Sequence, residues 1–137
     1  MPTLNEFVGK WTLRREIEDR RAGQTGHFEG EARFVPFADG LRYEEEGTLY
    51  LGPQPMHAAQ SHLWSSIGDL IRVTFSDGRP FHDFDASEVA PTARHDCAPD
   101  IYLVTYAFPN WPDWSVKWEV SGPRKDYTLR SSYVLRT

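Results

Sequence analysis

Arg15 and Glu45 are charges placed where apolar side chains belong. Arg15 lies between Leu13 and Ile17 in an alternating run, and Glu45 lies between Tyr43 and Leu49 in another. Burying a charge is costly unless it is paired. One reading is that Arg15 and Glu45 neutralise each other, or that one of them reaches out at a rim. The other is a polar cavity in which the planar fork of Arg15 grips a ligand carboxylate or phosphate. With Tyr43 and Tyr102, the same pair also forms an acid–base set for a lyase or isomerase acting on a small organic acid. That chemistry expects burial to raise the pKa of Glu45 toward working pH.

The densest cluster of reactive types is Phe81-His82-Asp83-Phe84-Asp85, then His95-Asp96-Cys97, then Asp100-Ile101-Tyr102. No two of these residues have the Cys-x-x-Cys or His-x-x-x-His spacing of a zinc site, so no metal is expected. A Cys97 nucleophile with His95 or His82 as base is no better founded, because neighbours in sequence are not a dyad in space. The expectation is a hydrogen-bonded knot: His82 inward beside Phe84, its ring fixed by an aspartate or a tyrosine hydroxyl. Phe81-His82 and Asp100-Tyr102 then end strands at one mouth, with the loop between them folded over it and His95 or Asp96 reaching back to His82. His82 as the axial ligand of a haem is a further alternative. Gly122-Pro123-Arg124-Lys125-Asp126 lacks phosphate-loop spacing and reads as a β-turn.

These residues must be held by strands. Period-2 alternation broken by turn residues runs through most of the chain, the pattern of an antiparallel barrel or sandwich. The expected strands are about 10–20, 26–36, 41–51, 61–66, 70–76, 80–85, 100–108, 114–121 and 125–136, with Asp77-Gly78 a strong hairpin signal. Residues 52–60 read as an irregular link and 86–99 as a loop. Tyr102, Val104, Tyr106 and Phe108 share one parity and Ile101, Leu103, Thr105 and Ala107 the other; the tyrosine face is taken as inner. The expected architecture is all-β: one domain over residues 1–137, an up-and-down barrel of eight to ten strands with a short N-terminal helical cap at Leu4–Val8. Closure removes exposed edges, and a barrel of this size holds packed side chains or one small ligand.

Gly9-Lys10-Trp11 opening the first strand, with Arg136 ending the last, resembles the calycin barrels (lipocalins, fatty-acid-binding and nitrobindin-like proteins). Parity puts Arg136 on the opposite face from Tyr127, Leu129, Ser131 and Tyr133, which argues against a Trp–Arg stack at the closed end. Phe81-His82, His95-Asp96-Cys97, Asp100-Ile101-Tyr102 and Gly122 to Tyr127, with Trp11, Arg15, Ile17, Gly47 and Trp64, resemble an uncharacterised family, the domain of unknown function DUF6314. The resemblance implies a calycin-like barrel and brings no activity, cofactor or partner with it.

Composition narrows the function classes. A net charge of −5 argues against nucleic acid bound through a basic surface. The single cysteine permits no intrachain disulfide. The opening MPTLNEFVGK has neither a basic n-region nor an apolar h-region, and no apolar run approaches the roughly 20 residues of a membrane helix. The expectation is a cytoplasmic protein without membrane or nucleic-acid partners, a homodimer being left open. The expected function is binding of a small acidic or amphipathic organic molecule without a cofactor. Its walls would be Tyr43, Trp64, Tyr102, Tyr106, Trp118, Tyr127 and Tyr133, and Arg15, Glu45 and His82 would orient it.

Overall fold

A computed structural model describes residues 2–136. Ten strands form one antiparallel sheet: β1 (Gly9–Asp19), β2 (Gln24–Phe37), β3 (Gly40–Tyr50), β4 (Met56–Ile67), β5 (Leu70–Phe75), β6 (Pro80–Phe84), β7 (Thr92–Cys97), β8 (Asp100–Ala107), β9 (Trp114–Gly122) and β10 (Lys125–Leu135). Their order is β6-β5-β4-β3-β2-β1-β10-β9-β8-β7. The expected up-and-down, calycin-like barrel is therefore present, with β1 paired to both β2 and β10. Among the described residues no ladder joins β6 to β7, so the cylinder is nearly closed, with one seam.

Alternation places one set of side chains inside. Trp11 and Leu13 on β1, Phe28, Ala32 and Phe34 on β2, and Leu41, Tyr43 and Glu45 on β3 are all buried. On β8 the buried face is Val104 and Tyr106, with Phe108 following. The outer face carries charges that pair across strands, such as Arg14 with Glu29 at 2.7 Å. Exposed pairs of this kind add little stability.

One end is sealed by aromatics. The expected helical cap is only a single 3-10 turn, Leu4–Phe7, whose Glu6 carboxylate accepts from the Thr3 amide and hydroxyl at 3.1 Å each. Four residues cannot complete an α-helical ladder, and the turn serves instead to aim Phe7 into the barrel. Phe7 meets Phe34, Trp64, Trp111 and Trp114 at centroid distances of 5.4, 5.2, 4.9 and 5.3 Å. The Trp11 Nε1–H donates to the Phe7 carbonyl at 2.9 Å, tying the turn to the first strand. Arg136 does not reach Trp11; it pairs with Glu31 on the outer face, as its parity demands.

Three expectations need correction. The link at 52–60 is irregular only to Pro55, because β4 already begins at Met56 and pairs with β3 through Leu49. The loop at 86–99 contains a strand: β7 pairs with β8 from Thr92–Thr105 to Cys97–Asp100. The remaining loop, 85–91, lies at the sealed end, where Phe108 and Tyr106 amides donate to the Val89 and Pro91 carbonyls at 2.9 Å. It therefore does not fold over the open mouth.

Gly30 and Gly47 face each other across β2 and β3 on the inner side. A Cβ on Gly47 would stand 2.2 Å from the Glu29 carbonyl oxygen, and one on Gly30 would meet the Phe28 ring at 2.8 Å. The bare backbone is what lets the Phe28 ring lie there. Gly47→Ala is expected to lower stability by roughly 1–3 kcal/mol through overpacking, measured by denaturant unfolding. A neutral result would show that the strands can part at no cost.

Candidate functional site

A buried polar cluster crosses the barrel interior. Arg15 donates through both terminal nitrogens to the Glu45 carboxylate, at 2.7 and 2.9 Å, and through Nε to Ser131 Oγ at 2.7 Å. The Tyr43 hydroxyl donates to Glu45 at 2.5 Å and, its one proton so used, accepts from the Tyr133 hydroxyl at 2.7 Å. The Arg15 guanidinium sits 5.4 Å over the Phe28 ring, and Tyr133 stacks on Trp114 with centroids 3.9 Å apart. Glu45 is 5% exposed and the Arg15 side chain 12%. Of the two readings of this pair, mutual neutralisation is the one the geometry shows.

The electrostatics follow. Burial pushes the Glu45 carboxyl up, but hydrogen bonds and charge from Arg15 and the Tyr43 hydroxyl outweigh it, and the net direction is below its ordinary value. The raised pKa expected of a Glu45 general base is thus reversed, because the carboxylate has a bidentate cation at hand. Burial disfavours the charged Arg15, yet bonding to Glu45 leaves it more basic than usual. Burial raises Tyr43, and pushes Tyr133 up to about 12.

His82 forms a second, separate contact. It is 7% exposed, and its Nε2 lies 2.6 Å from the Tyr106 hydroxyl. The expected inward His82 fixed by a tyrosine is found, but the partners nearest in sequence play no part. Asp96 is exposed and paired to Arg94, Asp83 accepts from Arg72, and Cys97 is exposed. His95 does not reach His82's nitrogens; its ring packs against Phe81 at 5.2 Å and Tyr102 at 5.8 Å. Both Phe81 and His82 are buried because the β5–β6 register skips Phe81, a bulge that turns two consecutive side chains inward. Burial drives His82 down to about 3, so the ring is neutral.

Between the two contacts lies a cavity of about 30 Å³, room for roughly one water. Arg15, Tyr43, Glu45, Gln60, His62, Trp64, His82, Tyr106, Trp114, Trp118 and Tyr133 are among its walls. Haem pockets are far larger, and His82 Nε2 is engaged by Tyr106, so these residues do not fit a haem. The open end is roomier: a mouth of about 410 Å³ walled by Phe75, Phe81, Tyr102, Trp118 and Tyr127, with Arg79 at its rim. Gln60, His62 and Trp118 belong to both spaces. A crease on the outer face, about 400 Å³, is walled mainly by Glu31, Arg33, Glu44 and Glu46, charges that pair with neighbouring residues.

The sequence-derived set thus divides by depth. Arg15, Tyr43, Glu45, Trp64, His82, Tyr106 and Tyr133 line the inner cavity, Tyr102 and Tyr127 the mouth, and Trp118 both. Trp64 also packs the sealed end, 5.2 Å from Phe7. Sequence reasoning missed His62, Gln60, Trp114 and Ser131. His62 carried a usable signal, because it shares the parity of Trp64 two residues on. Its ring lies 5.8 Å from Phe81 and 6.1 Å from Tyr43, and burial lowers its pKa. Among the described residues no three His, Cys, Asp or Glu are grouped to hold a metal ion, and no helix is long and apolar enough to cross a membrane.

Residues 7–135 match a family of unknown function, DUF6314, and the chain belongs to that family. No curated protein matches it. Among solved structures, it is similar to an S-type phycobiliprotein lyase from Guillardia theta, with a TM-score of 0.69 at 7% identity over 98% of this chain and 90% of that one. It is also similar to a protein of unknown function from the DUF3598 family of Nostoc punctiforme, with a TM-score of 0.58 at 7% identity, over 97% of this chain and 48% of that one. These likenesses concern the barrel fold.

Proposed function

We propose that the barrel binds a small, planar, amphipathic organic molecule in its open mouth. The ring system lodges among Phe75, Phe81, Tyr102, Trp118 and Tyr127, and a neutral polar end points inward toward Gln60 and His62. The observation that carries this reading is the mouth itself, about 410 Å³, with an aromatic wall of Phe75, Phe81, Tyr102, Trp118 and Tyr127 and polar residues, Gln60, His62, Asp77 and Arg79 among them, making up most of the rest. That size and composition suit a ligand pocket, in which apolar walls supply affinity and a few fixed polar groups set orientation. An acid group on the ligand stays at the rim beside Arg79, whose guanidinium lies 5.3 Å over Phe75 and gives its Nε to Asp77 at 2.7 Å, an exposed pair that leaves its terminal nitrogens for the ligand. Arg15 does not meet that acid directly, since Glu45 already fills its fork.

The test is a thermal-shift screen of aromatic acids and phenols, followed by calorimetry on the hits. Tyr102→Ala and Trp118→Ala are each expected to weaken binding at least about tenfold, or about 1.4 kcal/mol. Arg79→Ala is expected to weaken acids and leave neutral phenols unchanged. Hits whose affinity is untouched by both aromatic substitutions would place the ligand elsewhere.

A further inference from the structure

Two residues that line the inner cavity each carry a buried polar atom with no partner among the described protein atoms: Trp114 Nε1 and His82 Nδ1. Buried polar groups in folded proteins are almost always bonded, to protein or to ordered water. Arg15, Glu45, Tyr43, Tyr133 and Ser131 bond one another, and neither Gln60 nor His62 on the same walls bonds to either nitrogen.

The chemistry of the missing partner follows from counting protons. An indole nitrogen only donates. Tyr106 has one hydrogen-bond partner among the described side chains, His82 Nε2 at 2.6 Å. Were Nε2 the donor, the Tyr106 proton would be buried without an acceptor. The hydroxyl therefore donates to Nε2, and the single proton of the neutral ring sits on Nδ1. Both unpartnered atoms are N–H donors.

We propose that this cavity seats one oxygen atom that accepts hydrogen bonds from Trp114 Nε1–H and His82 Nδ1–H, supplied by a trapped water or by the leading carbonyl of a bound organic molecule. The cavity, about 30 Å³, admits a single group of that size. Arg15 and Glu45 on the same wall neutralise each other and leave no free cation to compensate a buried anion, which selects a neutral oxygen. The carbonyl source rests on the proposed binding function. Because Gln60, His62 and Trp118 wall both spaces, the mouth and the seat adjoin across these side chains.

The test is a crystal structure of the free protein at a resolution that shows waters, and one with para-hydroxyacetophenone. Calorimetry compares that probe with para-ethylphenol, which lacks the carbonyl. One oxygen within about 3 Å of both nitrogens is expected. A water there in both structures, with no preference between probes, supports the seat with water as its occupant. Displacement of that water by the carbonyl, with at least tenfold tighter binding that Trp114→Phe abolishes, supports the ligand as its source. No oxygen bridging the two nitrogens in either structure overturns the proposal, even if both probes bind in the mouth. A bridging oxygen with no probe bound anywhere upholds the seat and counts against the binding function instead. Nitrogen NMR of wild-type protein gives a readout free of folding defects: His82 protonated at Nε2 rather than Nδ1 overturns the assignment.

Discussion

Glu45→Ala is expected to lower stability by about 3–5 kcal/mol, the usual cost of removing one partner of a buried ion pair. The substitution leaves the Arg15 guanidinium buried with its charge uncompensated, and Tyr43 loses its acceptor. Replacing both ends, Arg15→Met with Glu45→Leu, is expected to recover most of that loss, because no charge then remains inside. Denaturant unfolding of the single and double variants measures both effects. Glu29→Ala serves as the contrast: its pair with Arg14 is exposed, and about 1 kcal/mol or less is expected. If Glu45→Ala proves as mild as Glu29→Ala, the Arg15–Glu45 bridge does not hold the interior together.

The meeting of Arg15 and Glu45 was half legible. Parity alone places both inside, since each falls among apolar residues of its strand. Whether they bond each other or a ligand depends on how far apart they stand along the barrel, which is set by register. Arg15 lies opposite Phe28, and Glu45 opposite Ala32, four residues along β2. Between them on the inner face come Gly30 and Gly47, positions without side chains. Gly47 was visible in the sequence, but its consequence for reach was not.

The missed strand was recoverable by counting directions. With nine antiparallel strands the first and last run parallel, which contradicts the closure of β1 on β10. A tenth strand between Phe84 and Asp100 restores antiparallel closure and carries the chain back from the sealed end to the mouth. β7 escaped the period-2 search because it lies beside the seam, so Thr92, Arg94, Asp96 and Cys97 are exposed and only Ala93 and His95 are part-buried. The inward turn of Phe81 had no sequence signal, since a bulge breaks the parity on which the reading rests. That loss matters for the site, because Phe81 stacks on Phe75 at 4.8 Å and meets Trp118 at 5.1 Å in the wall of the mouth.

The barrel is also expected to lose stability in mild acid, beginning above the range in which its carboxylates titrate. Burial holds His82 down to about 3 from an ordinary value of 6.5, and lowers His62 in the same direction. The groups facing His82 do not offset this. His62 on β4 and His95 on β7 oppose a positive charge there, Asp83 favours it, and Tyr106 gives only a neutral hydroxyl. Below pH 6.5 the unfolded chain takes up a proton that the folded chain refuses, so stability present above that pH falls as the pH drops toward 3. Between pH 7 and 4.5 the expected loss from His82 is on the order of 2–3 kcal/mol, and His62 adds to it with the same sign. Denaturant unfolding at the two pH values measures the slope. His82→Phe combined with Tyr106→Phe removes the imidazole without orphaning the hydroxyl, and is expected to flatten most of it. An unchanged slope in that double variant would mean that His82 is not what acid attacks; the remaining dependence would then belong to His62 and to carboxylates such as Glu45 that are held below their ordinary values.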